Sequence, residues 1–334
     1  MGARECGIAA CGTSSRVAAR AAASMAAAIL ALSFSCSTAP KPAEAVFDTK
    51  NKAAEFAKLG DQYMAEGRFA AALGYYEEAL SAGSSVDDLG GIAASRVSMG
   101  RAYAAAGQPE DARREYVAAL EYALMAGSAA GQSAAKAGIG ELEYAEGRIG
   151  AALGLFEEAA ALASAAEDGG KARAVALHDR AVAKSALGDA AGARADLAEA
   201  ESINRRAKRW AELASNRYVT ASILASEGDL ELALTAAKDA LEADKKGENS
   251  RGIVSDLAAC ARLSARLGRG EDAWGYWRRS FESGLAVDDE AAVRGALAAL
   301  VGLSDGLGKA AEGRRYAAML ASLDEAAQAK DAAD

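Results

Sequence analysis

Histidine occurs once, at His178, which removes every metal site needing two imidazoles and every catalytic scheme built on a histidine pair. Proline occurs three times and runs of β-branched residues are missing, so neither a β-sandwich nor a βαβ sheet has the strand and turn material it needs. Aromatic side chains make up 6% of the chain, too few for a conventional bulky core. Positive charge is in deficit, with 38 basic against 47 acidic side chains. The resulting net charge of −9 repels polyanions and excludes nucleic acid as a general partner. Cysteine appears at Cys6, Cys11, Cys36 and Cys260 only, so no disulfide framework is expected. The strand-turn-helix serine elbow of hydrolases is absent, and neither an enzyme nor a cofactor is expected.

What the chain does have is alanine. With 51% apolar and 25% charged residues, its departure from an average soluble composition comes mainly from the residue that loses least on entering a helix, so an all-α protein is expected. The one long apolar run, residues 21–34, follows Arg4, Arg16 and Arg20. As a helix it would span ~21 Å against a hydrocarbon core of ~30 Å, which fits the apolar segment of an export signal and not a membrane span. Small residues then lead into Cys36, and this junction resembles the lipobox of bacterial lipoproteins, with Ser33 where a leucine is usual. The resemblance implies cleavage after residue 35, lipidation of Cys36 and a place at the cell envelope, periplasmic or outer-surface side. Residues 36–50, with Pro40 and Pro42, read as a flexible tether, 51–328 as one solenoid, and 329–334 as a frayed tail. Cleavage also removes Arg4, Arg16, Arg20 and Glu5, leaving a more acidic body whose sole free thiol is Cys260.

The strongest signal is repetition. Glycine recurs at Gly67, Gly107, Gly147, Gly188, Gly228, Gly268 and Gly308, at intervals of 40, 40, 41, 40, 40 and 40 residues. Around the first of these stand Leu59, Gly60 and Tyr63 before the turn, then Ala72, Tyr76 and Ala79 after it. The second unit repeats the code with Gly100, Tyr103, Ala112, Tyr116 and Ala119, and the third with Gly140, Ala152, Phe156 and Ala159, although Glu143 stands where an aromatic is expected. These offsets resemble the tetratricopeptide repeat (TPR), a helix-turn-helix unit in which small residues let helices approach and one large residue plugs the gap to the next unit. Later units dilute the code: the plug positions read Leu197, Ala237 and Trp277, and the seventh unit, with Gly313 and Ala317, reads as a terminal cap. The resemblance implies a right-handed superhelical solenoid of about seven hairpins. The six residues beyond the usual 34-residue period are housed in longer helices. Helical repeats of the HEAT type share the period but lack this small-residue code.

In the TPR family the inner groove is lined by first-helix positions free of packing duty. Here the ninth position of each unit reads Asp61, Arg101, Glu141, Val182, Ser222, Arg262 and Gly302, and neighbouring positions add Met64, Tyr144, His178, Tyr218 and Arg266. Arg262 and Arg266, one turn apart, suggest a guanidinium pair for a carboxylate. The asparagine of the chaperone-binding clamp is missing from position nine. Trp274, Tyr276 and Trp277 beside Arg278 and Arg279 suggest an exposed aromatic of the kind that anchors partners, and Arg205, Arg206, Lys208, Arg209 and Trp210 form a basic joint between units. The His178–Asp179 pair reads as a satisfied or solvent-facing histidine, Gly306 to Lys309 as a helix-helix turn, and Cys260 as a buried apolar residue. The function implied is a lipid-anchored scaffold that holds a protein or peptide. The alternative is a small-ligand or transporter accessory protein, since some TPR lipoproteins that resemble this layout partner solute-binding proteins of TRAP-type transport.

Overall fold

The computed structural model describes residues 43–165 and 170–331. The expected leader and Cys36 lie outside the described residues. Two units are distinguished, Met1–Asp48 and Thr49–Asp334. The first is described only from Ala43, where the chain is already helical, so residues 43–50 of the expected tether are helix. Ala43, Glu44 and Ala45 are good helix formers, and the acidic Glu44 suits a helix start.

Fourteen helices follow, with no strand among the described residues, and they pair into seven hairpins: α1 (Ala43–Ala65) with α2 (Phe69–Ser84), α3 (Leu89–Ala105) with α4 (Pro109–Met125), α5 (Ala129–Ala145) with α6 (Ile149–Ala165), α7 (Gly170–Ala186) with α8 (Ala190–Arg206), α9 (Trp210–Glu227) with α10 (Leu230–Lys246), α11 (Ser250–Arg266) with α12 (Gly270–Ala286), and α13 (Glu290–Ser304) with α14 (Ala310–Asp331). The last helix runs through Asp331, so the expected frayed tail is helical for its first three residues. None of the described helices is long and apolar enough to cross a membrane.

The forty-residue period is two helices plus two turns of one design. At Gly67 (φ +74°) the chain turns left-handed, and the next amide, that of Arg68, returns to the carbonyl of Tyr63 at 2.9 Å, the bond that closes a helix C-terminus in a Schellman turn. The joints between hairpins use the same device half a period later. Gly127 serves one joint, but Asp87, Lys208, Glu248 and Asp288 adopt positive φ at the four others among the described residues, and Asp88, Arg209, Asn249 and Asp289 return their amides to carbonyls five residues back. These joints escape a search for glycine, because an L-residue fills the left-handed position at a modest cost in strain. Asn249 and Asp289 then cap the next helix, their side chains accepting from Gly252 and Ala292.

The backbones of neighbouring first helices approach closely from α3·α5 through α11·α13, whereas those of second helices stay further apart among the described residues and meet only through long side chains, such as Tyr316 of α14 on α12. Close approach along one side and splaying along the other bend the row, with α3, α5, α7, α9, α11 and α13 on its inner side. The curvature carries Arg251, at the start of α11, to 3.5 Å from the backbone carbonyl of Glu66, 185 positions away in the first hairpin turn. The architecture is the helical-repeat superhelix that the code implies.

The code works through contact between rings and missing side chains. Tyr116 is fully buried between Gly100 and Gly138, where an added Cβ would lie 2.6 Å and 2.4 Å from its Cε1. Tyr76 fills the same role against Gly60, and Phe156 against Gly140. Where the plug shrinks to Ala237, the space is taken by Leu234, Cys260 and Leu263, with Tyr218 and Tyr276 packed on them. The sixth hairpin restores bulk. Trp274, Trp277 and Phe281 are all buried, and Tyr316 of the last helix closes on Trp274 and Phe281 at ring-centroid distances of 5.8 and 5.9 Å. The exposed aromatic anchor expected from this stretch is therefore absent: Tyr276 is half-buried and Trp274 turns toward the terminal hairpin.

Gly138→Ala is expected to destabilise the protein by about 1–3 kcal/mol, because Tyr116 is hemmed in on both sides and cannot retreat. Gly74→Ala, on an open helix face with no neighbour within 4 Å, is expected to stabilise by ~0.5–1 kcal/mol. Urea denaturation of both variants checks the pair of signs.

Candidate functional site

The inner face is a row of concavities between first helices. One, of about 330 Å³, lies among α3, α5 and α7, with walls of small residues such as Ala94, Ala134 and Ala137 and two cations, Arg101 and Lys171, on its lining. A smaller one of about 90 Å³ lies beside His178, and two more, of about 350 and 280 Å³, share Tyr218 as a common wall. Alanine, serine and glycine at these inner positions both permit the tight curvature and leave the hollows between helices unfilled.

Four of the expected groove residues converge here with partners that spacing alone did not reveal. Asp61 accepts a hydrogen bond from the Tyr76 hydroxyl at 2.8 Å, so the first plug reaches through the wall to the groove. One hairpin on, the corresponding Tyr116 hydroxyl is buried and has no hydrogen-bond partner. Burial raises its pKa, and the charge of Glu141 adds to the effect against Arg101. Glu141 is reached by solvent, yet protein crowds it on most sides. That desolvation lifts its carboxyl above the usual range, and Arg101 opposes the lift. Asp179, which was read only as the neighbour of His178, belongs to the same group. Its Oδ2 is buried and unpartnered, and desolvation followed by the charge of Glu141 pushes its pKa well up. Arg101 makes no ion pair within 4 Å among the described residues, so its charge balances two carboxyls at longer range.

Of the two expectations for His178, the structure shows the satisfied one: its Nδ1 lies 2.8 Å from Oδ1 of Asn216, and burial holds its pKa down. The new observation is the amides beside it. Asn216 and Asn204 are 1% and 2% exposed, line the 90 Å³ hollow with His178, and leave Asn216 Nδ2 and Asn204 Oδ1 without partners. A lone donor and a lone acceptor in one hollow are hydrogen-bonding capacity held in reserve.

Other expected positions serve packing. Met64 is half-buried against Ala72 and Tyr76, and Tyr144 against Ala152, Phe156 and Ala183. Tyr144 thereby supplies the ring that Glu143 does not. Glu143 instead takes hydrogen bonds from Arg148 and, at 2.8 Å, from Arg113, which hold its pKa down at about 2. Tyr218 lines two cavities as well as packing. Arg262 and Arg266 do not form a carboxylate fork. Arg262 sits over the Trp277 ring at 5.9 Å and reaches the Tyr218 hydroxyl at 3.4 Å, while Arg266 donates to the Ala225 carbonyl at 3.0 Å. The end of the preceding first helix, with its unsatisfied carbonyls, captures the second guanidinium. Cys260 is fully buried, and desolvation pushes its thiol up to about 12, the signature of an inert packing residue. The glycine beat marks turns only, Gly308 included, where α13 ends and α14 begins. No group of three or more His, Cys, Asp or Glu able to hold a metal ion occurs among the described residues.

A curved row of helical hairpins with a hollowed inner face is the architecture of a repeat scaffold for protein interaction. Residues 52–124 match the family model described as tetratricopeptide repeat. No curated protein sequence matches it. Among solved structures it is similar to the signal-transduction ATPase with numerous domains from Pyrococcus horikoshii that carries a tetratricopeptide repeat sensor, at 13% identity and a TM-score of 0.61 over 86% of this chain; it spans 44% of that chain's length. It is also similar to the apo form of RapI, at 12% identity and a TM-score of 0.61, covering 80% of this chain and 75% of that one. A Rap protein complexed with competence and sporulation factor matches at 15% identity and a TM-score of 0.56, with 81% and 76% covered. At these identities the likeness establishes the fold.

The raised pKa of Asp179 makes a stability prediction. A carboxyl whose folded pKa lies above its unfolded value takes up a proton on folding, so its contribution is greatest below the unfolded pKa and is lost as pH rises through the folded one. Asp179→Asn mimics the protonated form and removes that loss, although Glu141, Arg101 and Tyr116 still face the site. The variant is expected to gain on the parent protein as pH rises from 5.5 to 8, by at most about 1.4 kcal/mol per pH unit. Urea titrations at the two pH values measure it.

Proposed function

We propose that the chain is an exported, lipid-anchored, non-enzymatic scaffold whose inner groove holds an extended segment of a protein partner. The observation that carries this reading is the row of unspent polar groups on the groove side: Tyr116 Oη, Asp179 Oδ2, Asn204 Oδ1, Asn216 Nδ2 and Asp256 Oδ2 are all buried and unpartnered. Each such group costs about 1–3 kcal/mol when left unmade, and a partner that supplies the missing bonds recovers that cost. Separate hollows of about 90 to 350 Å³ suit successive side chains of one extended segment better than a single enclosed small molecule. A neighbour in fold, the Rap protein, is complexed with a separate factor. The export and anchoring part of the proposal rests on the arginine-led apolar run and the small-residue approach to Cys36.

Selection from a displayed random-peptide library on the full chain tests the groove. Enriched peptides are expected to lose at least tenfold in affinity when Ala134→Trp fills the inner hollow of about 330 Å³, and to be unaffected by Leu124→Arg on an exposed position of α4. Equal binding by all three proteins would overturn the groove reading. Anchoring is checked separately by metabolic labelling with an alkyne fatty acid in a bacterial host, where Cys36→Ala is expected to abolish incorporation.

A further inference from the structure

The hollow between α9, α10 and α11 is lined by two carboxyls and no basic side chain. Asp256 of α11 is 2% exposed, its Oδ2 has no hydrogen-bond partner, and it lies within hydrogen-bonding distance of Asp244 at the end of α10. The site is built, not incidental. Asn249, in the joint between hairpins, donates to Asp244 Oδ1 at 2.9 Å and fixes one edge of the pair. On the other side, an added Cβ at Gly252 would lie 1.9 Å from Asp244 Oδ2, so the carboxyl occupies space that only a glycine leaves open. Ser215, Tyr218 and Ser255 complete the polar lining with hydroxyl oxygens.

We propose that this hollow binds a protonated primary amine, with Asp256 as the counter-charge and the neighbouring hydroxyl oxygens as further acceptors. The proposal deepens the groove reading by giving one hollow a chemical preference. It rests on three facts of chemistry. Two carboxyls in contact cannot both be ionised without a positive charge between or beside them, and neither Asp244 nor Asp256 has an ion-pair partner among the described residues. An ammonium group brings three N–H donors to a wall of oxygen acceptors. The pair belongs to no group of three or more His, Cys, Asp or Glu among the described residues, and an ammonium needs only the one counter-charge that the pair supplies.

Proton balance follows from the empty state. Burial, then the charge and hydrogen bond of Asp244, push Asp256 up to about 8, so near neutrality the pair keeps one proton. Binding is then R–NH3+ plus the Asp256 carboxylic acid giving the ammonium–carboxylate pair, with one proton released to solvent. The other groups near the pair leave this balance in place. Tyr218 faces it from α9 and Cys260 lies one turn along α11, while Lys238 of α10 and Arg279 of α12 act on Cys260 and form no ion pair with either aspartate.

The test is calorimetry on the full chain with n-butylamine and with the capped tripeptide acetyl-Ala-Lys-Ala-amide, at pH 6.5, 7.5 and 8.5, in two buffers of different ionisation enthalpy. Both probes are expected to bind, with affinity rising severalfold to tenfold from pH 6.5 to 7.5, levelling above 8, and with close to one proton released per amine at pH 6.5. Asp256→Asn is expected to weaken binding at least tenfold. Ser215→Leu, an exposed position at the mouth of the hollow, is expected to do the same with both carboxyls intact. Tripeptide tighter than butylamine by tenfold or more identifies a lysine of a bound segment as the occupant, and equal affinities identify a free small amine. Binding of a control tripeptide with norleucine in place of lysine as tight as that of the lysine one, unchanged binding by Asp256→Asn, or no amine binding at pH 8.5 would each overturn the proposal. Ala134→Trp separates this from the groove reading: it is expected to spoil library selection while leaving butylamine binding unchanged.

Discussion

Everything in this molecule depends on large side chains filling the space that glycine and alanine leave open. Tyr116 seated between Gly100 and Gly138 is the clearest instance, since the absence of two Cβ atoms admits the ring that ties one hairpin to the next. A chain with so few aromatics builds no single thick core. It builds a thin one, renewed every forty residues, with each hairpin burying its apolar side only against its neighbours. Alanine suits that purpose because it is the strongest helix former and also the side chain that lets helices approach most closely.

The same economy explains the inner face. Small residues on α3, α5, α7, α9 and α11 bring the first helices together and so create the curvature, but they cannot fill the hollows that curvature opens between them. Polar groups placed at the edges of those hollows are shielded from water without being given partners. Carboxyls there meet too little solvent to ionise freely, and this is why Glu141, Asp179 and Asp256 are all lifted while Glu143, gripped by two arginines, is depressed. Shape and electrostatics of the groove thus have one cause.

How much of this was legible beforehand can be argued residue by residue. The glycine beat and the Tyr76, Tyr116 and Phe156 plugs are local patterns, and they located all seven hairpins and their turns. The joints at Asp87, Lys208, Glu248 and Asp288 were less legible because their left-handed residues are not glycines. Among groove residues, Asp61, Arg101, Glu141 and His178 were found by register, but their meaning lay in partners on other helices, Tyr76, Tyr116, Asp179 and Asn216, that register does not reach. Arg266 and Trp274 were misjudged for a shared reason. A periodic code says which face a side chain occupies but not which atom of the adjacent hairpin it will meet, and the Ala225 carbonyl and the Tyr316 ring are such neighbours. Asp256 stood unnoticed because a lone aspartate in a helix signals nothing until the fold brings Asp244 to it.

The contact between Arg251 and the Glu66 carbonyl has a mechanical corollary. It joins the first hairpin turn to the start of the sixth hairpin, so the intervening helices form a closed loop of constraints, not a free spring. A guest too thick for the bore must either enter end-on or part that latch, and the latch, made of one guanidinium and one carbonyl in contact with water, is the weakest link in the loop. Widening of the coil and loss of this single bond are therefore one event.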